Sequence, residues 1–374
     1  MKALLVLEDG FSLTGECLTG RGEVFGEVVF NTSMSGYQEI ITDPASKGQL
    51  LTLTYPLIGN YGVNNEDVES ASPQVEAVLV REYCRKPSNW RATGSLVQYL
   101  QDHGVLGVEG LDTRSLVLHL REKGTMRGAV STETLEVEEL LRRVRAFPSI
   151  EERELVPAVT CQEKYVWTGE QDLKAPFSTA PAGAAGNRLH VVVYDLGVRY
   201  SILRQLSRRG CRITVVPAGT SAAEIRELKP DGILISDGPG NPALLSGAAA
   251  EIGTLLGRYP FFGIGLGHLV LALSLGLETY KLPLGHRGGN HPVRELASGQ
   301  VQITTQNHGF CARLEAARNG TSPTHVNLND GTLEGLENQE MRLFSVQFHP
   351  QEMPGRPDLL SPYDRFIQMM AAGK

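Results

Sequence analysis

The stretch TGEQDLKAPFSTAPAGAAGNR, residues 168–188, constrains the fold more than any other feature of the sequence. It is rich in Ala, Pro, Gly and Ser and has few large apolar side chains, so it has nothing with which to build a core. A chain of 374 residues broken there reads as two domains, 1–167 and 189–374, with 168–188 as the connection. Before the connection, short β-rich runs at Ala3–Leu7, Val24–Asn31, Leu50–Tyr55 and Val75–Val80 alternate with Gly, Pro and Asn punctuation. One helix is predicted there by Val137, Leu140, Leu141 and Val144, at i, i+3, i+4 and i+7. Thr134 is its expected cap and Pro148 its stop.

After the connection the rhythm becomes strand, turn, helix. His190–Tyr194 is an apolar β run, Asp195-Leu196-Gly197 turns the chain, and Val198, Ile202, Leu203 and Leu206 form a helical stripe. Arg208, Arg209 and Gly210 supply a cationic last turn and a left-handed stop. Ile213–Pro217, Gly232–Ser236 and Phe261–Ile264 are further apolar strands. Such strands alternating with helices predict a parallel sheet covered on both faces, with ligands at the strands' carboxyl ends. Both Ser236-Asp237-Gly238-Pro239-Gly240 and Gly263-Ile264-Gly265-Leu266-Gly267 fall at such ends.

Composition removes several classes of function. Lys and Arg number 35 against 42 Asp and Glu, leaving −7 with no basic block, which argues against nucleic acid or an anionic membrane as partner. The longest apolar stretch, Phe261–Leu277, is too short and too interrupted to span a bilayer, and Met1–Leu7 does not read as a secretory signal. Five scattered Cys (17, 84, 161, 211 and 311), never in CxxC spacing, fit neither a disulfide framework nor a zinc site. A soluble protein of the reducing cytoplasm is expected.

Gly263-Ile264-Gly265-Leu266-Gly267-His268 lies between a strand and an apolar helix, expected over Leu269–Leu275. A G-x-Nuc-x-G turn of this kind is a nucleophile elbow. The flanking glycines permit a strained turn, and the N–H of the next residue, Leu266, helps to form an oxyanion hole. His349, after the β run Phe344–Phe348, is placed where a base could reach the elbow. Any glycine-rich strand-to-helix turn has the same appearance, and His349 is equally readable as a hydrogen-bonded histidine at a sheet edge.

The chain resembles the small, glutamine-amidotransferase subunits of carbamoyl-phosphate synthetase from end to end. In the second half the likeness is carried by ISDGPGNP (235–242), FFGIGLGH (261–268), GHRGGNHPV (285–293), QNHGF (306–310), DGTLEG (330–335) and SVQFHP (345–350). In the first half it is carried by FNTSMSGYQEIITDP (30–44), TLTYPLIGNYGVN (52–64) and LDTRSLVLHLREKGTMRG (111–128). The resemblance implies an α/β protein of two domains: an N-terminal β-rich α+β domain and a C-terminal flavodoxin-like class I amidotransferase domain.

It also implies a Cys–His–Glu triad, and here the sequence departs from the family. The nucleophile position is Gly265, the base position is His349 and the orienting carboxylate position is Gln351, with Glu352 beside it. Glycine can form no thioester, and an amide supplies no charge to an imidazolium. In the glutamine pocket Leu269 replaces a substrate-contacting Gln and Lys47 replaces a substrate-binding Ser. Gly238, Gly240, Leu266, Asn307, Gly309 and Phe310 match the family's substrate and oxyanion positions. Lys47 reads by default as a solvated loop charge; the sharper expectation is that its stem and Leu269 fill the vacated pocket. His286, His291 and His308 belong to the family's structural turns, so no metal site is expected. Cys311 is the one candidate replacement thiol and otherwise a small buried hydrophobe.

The implied partner is a large ATP-grasp subunit that makes carbamoyl phosphate from bicarbonate, ATP and ammonia for arginine and pyrimidine synthesis. ATP and Mg are expected on that partner, and this chain carries no P-loop pattern and no cofactor of its own. Three readings follow in order: a catalytically silent subunit supporting a synthetase fed by free ammonia, a working glutaminase with a displaced nucleophile such as Cys311, and a metabolite-binding module independent of the synthetase.

Overall fold

The computed structural model describes residues 1–169, 189–314, 319–350 and 361–372. Residues 170–188 of the expected connection, and Gln351 with Glu352, lie outside them. The chain forms two compact units. The first comprises Met1–Leu155 with Pro283–Gly288, and the second Val156–Leu282 with Gly289–Lys374. No helix among the described residues is long and apolar enough to cross a membrane.

The first unit is a closed barrel. Its strands run in the order Lys2–Leu7, Ser12–Cys17, Leu106–Glu109, Ala77–Leu79, Gln49–Leu53, Glu23–Asn31 and Met126–Ser131. Closure leaves no free sheet edge, which suits short strands separated by turns. Leu5, Leu7, Val28, Leu50, Ala77, Leu79, Leu116 and Val130 share one buried cluster. The helix Val137–Ala146 buries Leu140, Leu141 and Val144 against Leu4, Val6 and Ala129, as its spacing requires. Thr134 does not cap it. The N-cap is Glu136 with no side-chain hydrogen bond, and the Thr134 hydroxyl instead accepts from Arg143 Nη1 at 3.1 Å.

Segment Pro283–Gly288 joins this unit through paired backbone and a buried ion pair. The Thr125 N–H donates to the Pro283 carbonyl at 2.8 Å, and Thr32 N–H to that of Arg287 at 3.3 Å. Arg287 Nη2 lies 3.5 Å from Glu27 Oε2, both side chains almost fully buried.

The second unit is built on a mixed sheet whose parallel core runs Arg212–Pro217, His190–Asp195, Gly232–Ile235, Phe261–Ile264, Leu343–Val346. Counted along the chain this is the order 2-1-3-4-5, the flavodoxin-like winding. Tyr165–Val166 adds an antiparallel edge to Arg212–Pro217, so the described residues just before the connection belong to this unit. Beyond Leu343–Val346 the sheet continues through Leu333–Asn338, Thr321–Asn327, Glu278–Glu295 and Val301–Arg313.

Two apolar clusters cover the opposite faces of the parallel strands. Val192, Tyr194, Ile233, Ile235 and Phe261 point into one, with Leu266, Leu269, Val270 and Leu271 of the helix Leu266–Ser274. Val191, Val193, Leu234, Phe262 and Ile264 point into the other, with Ile202, Leu203, Leu206 and Phe366. Period-two alternation in strands buried on both faces is the reason these segments read as continuous apolar runs. Helix Tyr200–Arg208 ends at Gly210, whose φ of 78° is left-handed as expected.

Candidate functional site

The carboxyl ends of four neighbouring parallel strands meet at a single buried point, and three of them deliver a polar side chain to it. From His190–Asp195 the chain turns sharply because Asp195 Oδ1 accepts the N–H groups of Gly197 at 2.9 Å and Val198 at 2.7 Å. That turn sets Arg199 at the start of its helix, 5% exposed. From Gly232–Ile235 the chain runs into Ser236 and Asp237, 0% and 2% exposed. Ser236 Oγ accepts the Leu196 N–H at 2.9 Å and so ties the first strand end to the second. From Phe261–Ile264 the chain enters the elbow at Gly265.

Gly265 has φ 55° and ψ −114°, a combination open to glycine and strained for any other residue. The elbow can approach the neighbouring strand closely because Gly267 has no side chain: a Cβ there would stand 2.2 Å from the Ile235 carbonyl oxygen. The sequence therefore folds as an elbow, and the helix begins at Leu266, three residues before the expected Leu269.

At the point where a nucleophile would stand is the carboxylate of Asp237. A Cβ built on Gly265 would lie 2.0 Å from Asp237 Oδ1 and 2.3 Å from its Cγ. Oδ1 accepts two backbone N–H groups, from Leu266 at 2.9 Å and from Gly238 at 2.8 Å. Oδ2 lies 2.9 Å from His349 Nε2. On the other side of the ring the Arg199 guanidinium donates to His349 Nδ1. Guanidinium can only donate, so Nδ1 carries the lone pair and Nε2 carries the proton that Asp237 accepts. His349 is thereby held as one neutral tautomer, and its main-chain N–H donates to Thr305 at 3.0 Å.

The remaining expected residues are placed as follows. Leu269 is 2% exposed within the helix and packs in the same apolar cluster as Leu266, Phe310 and Cys311. Asn307, Gly309 and Phe310 lie along Val301–Arg313, which packs on that helix. Gly240 takes φ 90° in the loop after Gly238, ahead of Asn241, whose side chain caps Pro242–Leu245. Lys47 belongs to the first unit, where its ammonium sits 3.0 Å from Glu76 Oε1. Cys311 is fully buried and its thiol is pushed up to about 12 by burial, a poor nucleophile at neutral pH. The His308 ring nitrogens lie 2.8 Å from the Phe310 carbonyl and 3.0 Å from Gln306 Oε1.

Comparison with known proteins gives the family of both halves of the chain. Residues 5–130 match the family model for the carbamoyl-phosphate synthase small chain, CPSase domain, and residues 192–369 that for glutamine amidotransferase class-I. The carbamoyl phosphate synthase small chain of Syntrophotalea carbinolica is 49% identical over 371 residues, covering 99% of this chain and 98% of that one. This chain belongs to that family. The small chain of Nitratidesulfovibrio vulgaris strain Miyazaki F is 48% identical, with 99% and 98% coverage, and that of Synechocystis is 47% identical, with 100% and 97%. In this member of the family the amidotransferase half holds the Asp237 carboxylate between the Gly265 turn and His349.

Two residues of this cluster, Asp237 and Arg199, are absent from the sequence-based set of site residues. Asp237 stands inside the quoted ISDGPGNP motif, and Arg199 follows the turn after the first parallel strand. Asp237 follows the strand adjacent to the elbow strand and Arg199 the strand one further along the sheet, both at carboxyl ends, and that placement is the signal that points to them.

Proposed function

We propose that this chain is a catalytically silent amidotransferase-type subunit of carbamoyl phosphate synthase. It serves a large ATP-grasp subunit that draws on free ammonia, with ATP and Mg held by that partner and the product feeding arginine and pyrimidine synthesis. The observation that supports the reading is a glycine at position 265, where the resemblance implies a nucleophilic Cys, with the adjacent Leu266 and Gly238 amides engaged by Asp237.

Hydrolysis of a glutamine amide by a triad enzyme needs three things at this point. A nucleophile must attack the carbonyl carbon, a base must take the nucleophile's proton and pass it to the leaving ammonia, and donors must hold the oxyanion. Gly265 offers no attacking atom. His349 presents a protonated Nε2 to Asp237 and a lone pair already engaged by Arg199, so neither nitrogen is free to act as the base. Losing a triad nucleophile alone removes about 10⁶ in turnover. Cys311 does not supply a substitute, since burial holds its thiol protonated. Domain architecture, by contrast, is kept along the whole chain, which fits a subunit retained for assembly.

Mixing the purified chain with its cognate large subunit and supplying either glutamine or ammonium tests the reading. Carbamoyl phosphate is expected from ammonium and at background level from glutamine. Efficient synthesis from glutamine would end it.

A further inference from the structure

Loss of the nucleophile does not by itself account for Asp237. An elbow without its thiol could be left open to water, yet the space is filled by a charged group from the neighbouring strand end. Four hydrogen bonds tie the cluster together. Oδ1 takes both amides, Leu266 and Gly238, and Oδ2 takes the His349 Nε2–H, while Arg199 fixes the tautomer from behind. The Asp237 and His349 side chains are 3% and 6% exposed.

We propose that Asp237 is a built-in plug: an intramolecular anion that occupies the oxyanion donors and the side-chain space of the elbow and locks His349. The proposal rests on the silent-glutaminase reading and names the residue that keeps the site closed to an acyl ligand. Two converging amides beside an imidazole N–H bind an anion well. Because the carboxylate is tethered a single residue from Gly238, an incoming carbonyl oxygen must displace a charged acceptor that never leaves.

The chemistry selects Asp over Asn. With Oδ1 on the two amides, an Asn would turn its NH2 toward the His349 N–H, placing donor against donor. His349 cannot relieve this by exchanging tautomers, because Nδ1 must go on accepting from Arg199. A carboxylate alone satisfies every group. It follows that restoring a thiol at position 265 does not restore a reactive site, since the new Cβ meets Oδ1 at 2.0 Å.

The test uses the full chain in three forms: wild type, Gly265→Cys, and Gly265→Cys with Asp237→Ala. Alkylation of the introduced thiol by iodoacetamide is followed by peptide mass mapping. The double variant is expected to label at least about tenfold faster than Gly265→Cys alone, because only then can the thiol occupy the site beside His349. Equal rates would overturn the proposal. Should Gly265→Cys fail to fold, 15N-histidine spectra of wild type and Asp237→Ala decide the matter without it. The wild-type His349 ring is expected as the Nε2–H tautomer, and Asp237→Ala is expected to shift its Nε2 signal; an unchanged signal refutes the plug. Release of glutamate by the wild-type chain would count against the silent reading alone, leaving the labelling and the spectra to judge Asp237.

Discussion

Gly265→Ala is the perturbation whose cost the structure specifies most closely. A backbone at φ 55° and ψ −114° strains a non-glycine residue by about 1–3 kcal/mol. The added Cβ would also stand 2.0 Å from Asp237 Oδ1, so the carboxylate must swing away. It then surrenders at least one charge-assisted hydrogen bond, ~1.5–3 kcal/mol. The total destabilisation is about 2.5–6 kcal/mol, enough to lower the urea midpoint by roughly 1–2 M for a unit of this size.

The second unit has its own reporter. Trp167 is buried there at 6% exposure, while the other tryptophan, Trp90, is 88% exposed in the first unit. Urea unfolding followed by Trp167 fluorescence in a Trp90→Phe background isolates the relevant transition. The decisive measurement is a double-mutant cycle. In an Asp237→Ala background the collision is gone and only the backbone strain remains, so the two substitutions should couple by about 1.5–3 kcal/mol. Additivity within ~0.5 kcal/mol would refute the claim that Asp237 fills the elbow.

Two further outcomes follow from burial. His268 is wholly enclosed, with Nδ1 at 2.8 Å from Ser345 Oγ, and burial pulls its pKa down to about 3; burial likewise pulls His325 to about 4. Unfolded histidines take up protons near 6.5 while these two stay neutral in the fold, so stability is fully present above that pH and is lost as pH falls from 6.5 toward 3. His268 alone should account for about 2 kcal/mol of loss between pH 7 and pH 5, and His268→Gln should flatten the stability–pH curve in denaturant titrations; an unchanged slope would contradict its neutrality. Cys17, Cys211 and Cys311 are buried, and burial also lifts the Cys211 and Cys311 thiols to about 12. An Ellman titration of the native chain at pH 8 should therefore leave Cys311 unmodified until denaturant is added, and fast modification of Cys311 would reopen it as a nucleophile.

The elbow was readable because Gly263, Gly265 and Gly267 combine a forbidden dihedral with two close approaches, and no other residue type meets both demands. The parallel core was readable because strands buried on both faces are apolar throughout. The strand Glu278–Glu295 was not, since its GHRGGNHPV segment offers neither alternation nor β-branched enrichment and owes its extended form to its neighbours in the sheet. Thr134 illustrates a local rule overridden by another partner: its hydroxyl accepts from Arg143 Nη1 at 3.1 Å, and the helix starts at Val137 without a side-chain cap. The direction of the Asp237 carboxylate was illegible for a different reason. It depends on where the elbow, the first strand end and His349 meet in space, and these are separated by long stretches of sequence.

The excursion of Pro283–Gly288 into the barrel unit bears on how the gene for such a chain can be cut and recombined. A polypeptide stopped before residue 168 would carry the Glu27 carboxylate with no guanidinium opposite it and the Thr125 amide with no carbonyl to meet. The boundary drawn by composition thus leaves some contacts of the first unit on its far side. A chimera that exchanges the amino-terminal half between relatives keeps these contacts only if it takes Pro283–Gly288 with it.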